Sequence, residues 1–250
     1  GFRITGLGLG TATTDAARID NANALNMCEF RLTLTTGVPV TVSDVTAAET
    51  LYMSPYKGNR IALYDGTNWV MRTSAEMSID VPDVTGVHDV FCFDNSGTPT
   101  LEVLVWTNDT TRATALVLQN GVWVKTGAVT RRYIGTFYST TAGNGQIEDS
   151  VANRYLWNYY NRVTRTMTRL ETTASWAYSA AGYQQANASA SNQLNFVVGV
   201  NEEAFSASVS AAVSGSGFAT TVSVAIGLDS TTTAIASSLS ANAGISATSG

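Results

Sequence analysis

Two pairs of adjacent carboxylates, Glu148-Asp149 and Glu202-Glu203, and a single imidazole, His88, are the side chains whose types suit acid–base work. Cleaving a glycosidic bond requires two carboxyl groups that face each other, one as acid and one as base or nucleophile. Neighbouring residues on an extended chain point to opposite faces, so neither doublet forms a converging pair by itself. A nucleophilic triad would have to recruit His88, yet Val87-His88-Asp89 opens a strand-like run and no GxSxG elbow is present. The imidazole reads instead as a partly buried group supporting a turn. Gly6-Leu7-Gly8-Leu9-Gly10 echoes a phosphate loop, but no strand-to-helix unit with a partner acid follows, and there is no GxxxxGK motif. Cys28 and Cys92 lie far apart in the sequence, outside any CxxC and away from His88, and read as buried free thiols rather than as a disulfide framework or a zinc site. Calcium loops of the DxDxDG kind are also missing. These residues lead us to expect a non-enzymatic chain, with no catalytic residues, no metal and no cofactor.

Binding chemistry is carried by aromatic side chains. Tyr64-Asp65-Gly66-Thr67-Asn68-Trp69 and Gln119-Asn120-Gly121-Val122-Trp123 each set a tryptophan just beyond a turn, and Trp157 and Tyr160 stand in the dense run Asn153–Arg162. Trp69, Trp123, Trp157 and Tyr160 are therefore the candidate binding residues, as stacking platforms for a sugar. Packing across the strand pair is the simpler account of the two hairpin tryptophans. Arginines at 162, 165 and 169 follow the aromatics and could clasp an acidic partner or stack on a sugar or base. A solvated strand face accounts for them more simply.

The elements that must position these side chains are strands. Arg31–Thr35 alternates with period two, and three hairpins follow: Ile61–Tyr64 into Trp69–Met71, Asp89–Phe93 into Leu101–Trp106, and Ala115–Gln119 into Val122–Lys125. Their turns, Asp65-Gly66, Asp94-Asn95-Ser96-Gly97 and Asn120-Gly121, supply residues that tolerate positive φ. Antiparallel strands need only such short turns, whereas parallel ones need long crossovers. The fold expected is all-β, built as antiparallel sandwich or barrel-like domains behind an extended N-terminal linker holding at most a short helix over residues 14–25. Three regions are expected: a linker or assembly segment over 1–29, a hairpin-built sandwich over 30–150, and an aromatic, then Ala/Ser/Thr-rich β region over 151–250 that packs in an oligomer. In the last, Arg165–Leu170 alternates like a strand, and β-branched islands recur at 196–200, 207–210 and 221–228.

Charge limits the partners. Lys and Arg total 14 against 19 Asp and Glu, a net charge of −5 that offers no basic surface for nucleic acid. No run approaches the ~18 apolar residues of a membrane span. Only 13% of residues are charged, against roughly 25% in ordinary soluble domains. The deficit is concentrated at the C-terminal end: after Arg169 there is no Lys or Arg, and the acids are Glu171, Glu202, Glu203 and Asp229. Small alternating side chains with so little charge suit strands covered by other copies of the chain. The missing initial Met leads us to expect a processed product or a piece of something longer.

Gly1-Phe2-Arg3-Ile4-Thr5-Gly6-Leu7-Gly8-Leu9-Gly10-Thr11-Ala12-Thr13-Thr14-Asp15-Ala16-Ala17 resembles the GxxITxLxxGTxxTDA linker of tailed-bacteriophage tail-fibre proteins. The runs Lys57–Gly66, Trp106–Thr114 and Tyr155–Arg162 resemble a β-rich domain of phage virion structural proteins. The resemblance implies a structural protein on the exterior of a phage particle, often a homotrimer, with no catalytic residues to carry over. The expected role is a tail-fibre component that projects from the particle and supports host attachment, touching other virion proteins and host surface polysaccharide. A head fibre, a capsid decoration protein and a carbohydrate-binding adhesin module are the alternatives.

Overall fold

Turn formers placed between short alternating runs divide the chain into many small strands. The computed structural model describes residues 26–141, 143–178, 182–202, 205–211 and 223–235. The linker motif, the helix expected over 14–25 and the Gly6–Gly10 run lie outside them. Among the described residues the strands are β1 (Phe30–Thr33), β2 (Val45–Ala48), β3 (Thr50–Pro55), β4 (Arg60–Tyr64), β5 (Trp69–Thr73), β6 (Met77–Asp80), β7 (Gly86–Asn95), β8 (Thr98–Val105), β9 (Leu116–Gln119), β10 (Val122–Lys125), β11 (Ala128–Ser139), β12 (Ile147–Asp149), β13 (Asn153–Arg154), β14 (Leu156–Asn158) and β15 (Asn195–Phe196). One 3-10 turn, Ala186–Ala188, is the helical exception among them. The fold is all-β and, apart from the parallel β13–β15 pair, antiparallel.

The three expected hairpins form at the expected turns. β7 and β8 run in register from His88 opposite Val105 to Asn95 opposite Thr98, closed by Ser96 at φ 52° and Gly97 at φ 94°. Asn120 and Gly121, at φ 53° and 85°, close β9 onto β10. Asp65 shapes the β4–β5 loop by accepting from the amides of Thr67 and Asn68, each at 2.7 Å. The largest sheet has the order β8-β7-β11-β10-β9, with β14 also on β11; separate sheets are β1-β3-β6, β15-β13-β12-β2 and the pair β4-β5.

β11 organises the first unit. Residues Arg132 to Phe137 are all buried, so both faces of the large sheet are covered there. On one face Val90, Cys92, Ile134 and Phe137 meet Phe30 and Leu32 of β1, Leu51 and Met53 of β3, and Ile61 and Leu63 of β4, forming a single core. Complete removal of each such side chain from water contributes about 1.5–3 kcal/mol.

β1 pairs with β3 along one edge only. Its other edge is satisfied by two side-chain amides. Asn158 accepts from the Leu32 amide at 2.7 Å and donates to the Leu32 carbonyl at 3.1 Å, while Asn161 donates to the carbonyls of Cys28 (2.7 Å) and Phe30 (2.9 Å). Asn161 adopts φ 53°, which asparagine tolerates better than most residues. Gly135 faces Asn158 across the β11–β14 pair, and a Cβ there would collide with the Trp157 carbonyl.

The chain divides into two compact units: the first runs to Thr168 and includes Leu194–Asn201, and the second comprises Arg169–Gln193 and the residues from Glu202 onward. The alternation over Arg165–Leu170 does not become a strand. It finds no ladder partner among the described residues, apart from Thr168 donating to the Val151 carbonyl at 2.8 Å. Alternation without an adjacent strand edge leaves a segment without ladder pairing, and residues 207–210 and 223–228 in the second unit likewise form no strand, although the Ile226 carbonyl accepts from the Ile235 amide at 2.8 Å.

Candidate functional site

The face of the large sheet opposite the core carries polar and aromatic groups. Asp89 on β7 stands opposite Thr136 on β11, and Phe91 stands opposite Tyr133. Asp89 is 1% exposed; its Oδ1 accepts from the Thr136 hydroxyl at 2.8 Å and its Oδ2 from Arg112 Nε at 2.8 Å. The hydroxyls of Thr136 and Tyr133 share a 2.5 Å hydrogen bond. Burial raises the Asp89 pKa, with the Arg112 cation opposing it, and burial likewise raises that of the Tyr133 phenol. The Arg112 guanidinium lies 4.4 Å from the Trp106 ring and 5.6 Å from Tyr133, and also donates to the Gly199 carbonyl.

Gly199 seals this cluster. β15 runs beside β13 and carries the chain over Tyr133, Thr136 and Trp157, so closely that a Cβ on Gly199 would collide with all three. Only glycine allows the backbone this approach. The Asp89 carboxylate, with both oxygens engaged and little exposed surface, fixes Arg112 and Thr136 in place and is poorly placed to act as a base on a ligand.

The four aromatic candidates fall in different surroundings, and all four are half-buried. Trp69 and Tyr160 both lie beside Arg132, whose guanidinium is 5.7 Å from the Trp69 ring and 4.5 Å from Tyr160. Arg132 is 0% exposed and donates to the Ala62 carbonyl (2.7 Å), the Met27 carbonyl (3.1 Å) and the Tyr160 hydroxyl (3.1 Å). Burial pushes the Tyr160 phenol up to about 12, against the opposing pull of Arg132. Trp69 donates from Nε1 to Asn120 Oδ1 at 3.2 Å, so the two echoing hairpins meet through the tryptophan of one and the turn of the other. Trp123 lies on β10 across from Leu118. Trp157 joins Tyr133, Tyr159 and Arg162, with the Arg162 guanidinium 5.3 Å from its ring.

The carboxylate doublet diverges. Glu148 accepts from the Ser150 hydroxyl at 2.5 Å and Asn153 Nδ2 at 2.9 Å, within its own turn. Asp149, 8% exposed, accepts from Arg154 at 2.9 Å and Arg165 at 3.1 Å. Glu203 lies outside the described residues. His88 is fully buried, stacked on Phe137 with centroids 4.9 Å apart and planes 3° apart, and its Nδ1 lies 2.8 Å from the Gly86 carbonyl, which assigns the ring proton to that nitrogen. Its Nε2 is buried without a partner. Cys28 and Cys92 are both buried free thiols, and burial raises both pKa values, that of Cys92 to about 12. Among the described residues no three His, Cys, Asp or Glu side chains gather as a metal site.

Reading the sequence picked out the aromatics by type but missed Asp89, Trp106 and Arg112. Their only signal was that Trp106 and Arg112 flank one polar turn, Thr107–Thr111. Comparisons with protein-family models, curated proteins and solved structures found no match to this chain.

Proposed function

We propose that this chain is a non-catalytic structural component on the exterior of a phage particle, a tail-fibre segment that supports host attachment, and that its copies associate as a homotrimer. The linker and domain resemblances motivate the virion reading. The observation that carries the assembly reading is the second unit. Leu170 is 75% exposed, Phe205 57% and Leu228 52%, on backbone that forms no strand among the described residues, in a region with no Lys or Arg after Arg169. Exposed apolar side chains on a sparsely charged chain are what a neighbouring copy would cover.

Native mass measurement at micromolar concentration tests the assembly; a species of three times 26.4 kDa is expected, and a stable monomer overturns it. Antibody raised against the chain should decorate the outside of intact particles in electron micrographs. Unlabelled particles, with the chain absent from their protein content, would overturn the virion assignment.

A further inference from the structure

A small pocket in the first unit has a lining that differs from the rest of the surface. The loop Val40–Asp44, the segment Thr164–Thr166, Val151 and Arg154 line an open depression of about 290 Å³. That lies at the lower end of the roughly 300–1,000 Å³ range of ligand sites and suits a single sugar ring. Asp149 anchors it from beneath: Arg154 and Arg165 both donate to this one carboxylate, Arg165 also donates to the Thr41 carbonyl at 3.1 Å, and Arg154 to the Thr166 carbonyl at 3.0 Å.

Charge here does not balance. Among the described residues Arg31 has no carboxylate within ion-pair distance and its buried Nε has no partner; its guanidinium donates to the Asn161 carbonyl at 2.6 Å. Burial, and next the Arg165 cation, lower the Arg31 pKa, so the two guanidinium groups feel each other. The lining itself carries two guanidinium groups, Arg154 and Arg165, and one carboxylate, Asp44, while Asp149 pairs with both arginines and Arg31 lies within electrostatic reach of Arg165. Arg154, which lines the pocket, also holds a buried Nε with no partner among the described residues. Buried guanidinium groups favour a carboxylate held through paired N–H donors.

The remaining lining is hydroxylic. Ser43, Thr164 and Thr166 make no side-chain hydrogen bond among the described residues, and Asp44, whose Oδ1 takes the Val151 amide at 2.9 Å, keeps a second oxygen. An acceptor carboxylate beside arginine donors disfavours a bare inorganic anion but suits a molecule carrying both an anionic group and hydroxyls. We propose that this pocket binds the carboxylate-bearing ring of an acidic saccharide, Arg154 and Arg165 holding the carboxylate and Asp44 with the Ser and Thr hydroxyls holding the ring hydroxyls. The site is separate from the aromatic candidates and does not depend on the trimer reading.

Titration calorimetry of the full chain with sodium D-glucuronate tests it, with D-glucose and inorganic phosphate as parallel probes. Glucuronate should bind saturably at one site per chain, and each of the other two at least about tenfold more weakly. Thr164→Trp fills the pocket from an exposed position, and Arg154→Lys keeps the charge while losing the planar fork. Each should weaken glucuronate by about tenfold or more while the melting temperature stays near that of the unmodified chain. Absence of saturable glucuronate binding overturns the proposal, as does equal affinity for glucose or phosphate. Unchanged affinity in folded Thr164→Trp would place the ligand elsewhere and overturn it too. The native mass is a separate readout, so failure here and failure of the assembly reading are distinguishable.

Discussion

Replacing Asn158 by Leu preserves side-chain size but removes both hydrogen bonds to Leu32, leaving a buried N–H and a buried C=O unpaired. The expected loss is about 2–3 kcal/mol, read by chemical denaturation, because an unsatisfied buried polar group costs its desolvation. An unchanged midpoint would mean that Leu32 finds other partners. His88 gives a second test at this scale. Burial depresses its pKa below the ordinary value of about 6.5, so the folded state requires the neutral ring. Its contribution is therefore fully present above that value and is lost as pH falls from there towards the depressed pKa of the folded state. His88→Phe, which keeps the stack on Phe137, should therefore flatten the decline in stability between pH 7.5 and 5.5. Parallel pH profiles for the two proteins would contradict it.

At the scale of elements, the hairpins rest on their turns. Gly66 at φ 105° and Gly121 at φ 85° hold conformations that a β-branched residue resists. Gly66→Val and Gly121→Val should each cost about 1 kcal/mol or more, seen as lowered melting temperatures. These turns were legible in the sequence because the chemistry that makes them is local: Asn-Gly and Asp-Gly determine the bend within two residues. What neighbours β1 was not legible. Leu32 and its partner Asn158 are separated by 126 positions, and nothing near either residue announces the other. Arg132 was hidden for a different reason: a charged residue in a strand reads as an outward face, and carbonyls delivered by Met27 and Ala62, with the Tyr160 hydroxyl, help to make its burial tolerable. The alternation over Arg165–Leu170 misled in the opposite direction, since period two shows which way side chains point but not whether an edge is available to pair with. The aromatic candidates were readable by type; that Trp69 and Tyr160 share one arginine, while Trp157 belongs to another cluster, was not.

At the scale of the whole molecule, basic charge is confined to one part of the chain. All 14 basic residues lie at or before Arg169, and Leu170, Phe205 and Leu228 project beyond it. Leu228→Glu should therefore weaken self-association by at least about tenfold and move the native mass towards the single chain, since a carboxylate in a covered apolar contact lacks its solvation. A trimer of unchanged strength would place the contact elsewhere. The Asn158–Asn161 arrangement on β1 has a consequence for such an assembly. An open strand edge is an invitation to any other strand, including those of misfolded or crowded copies. With its carbonyls and amide already taken by side chains, this edge cannot template a further strand, so it is guarded against runaway stacking without the lysines or prolines that usually serve as gatekeepers. Loss of either asparagine would be felt first in crowded solution, as fibrous or amorphous precipitate.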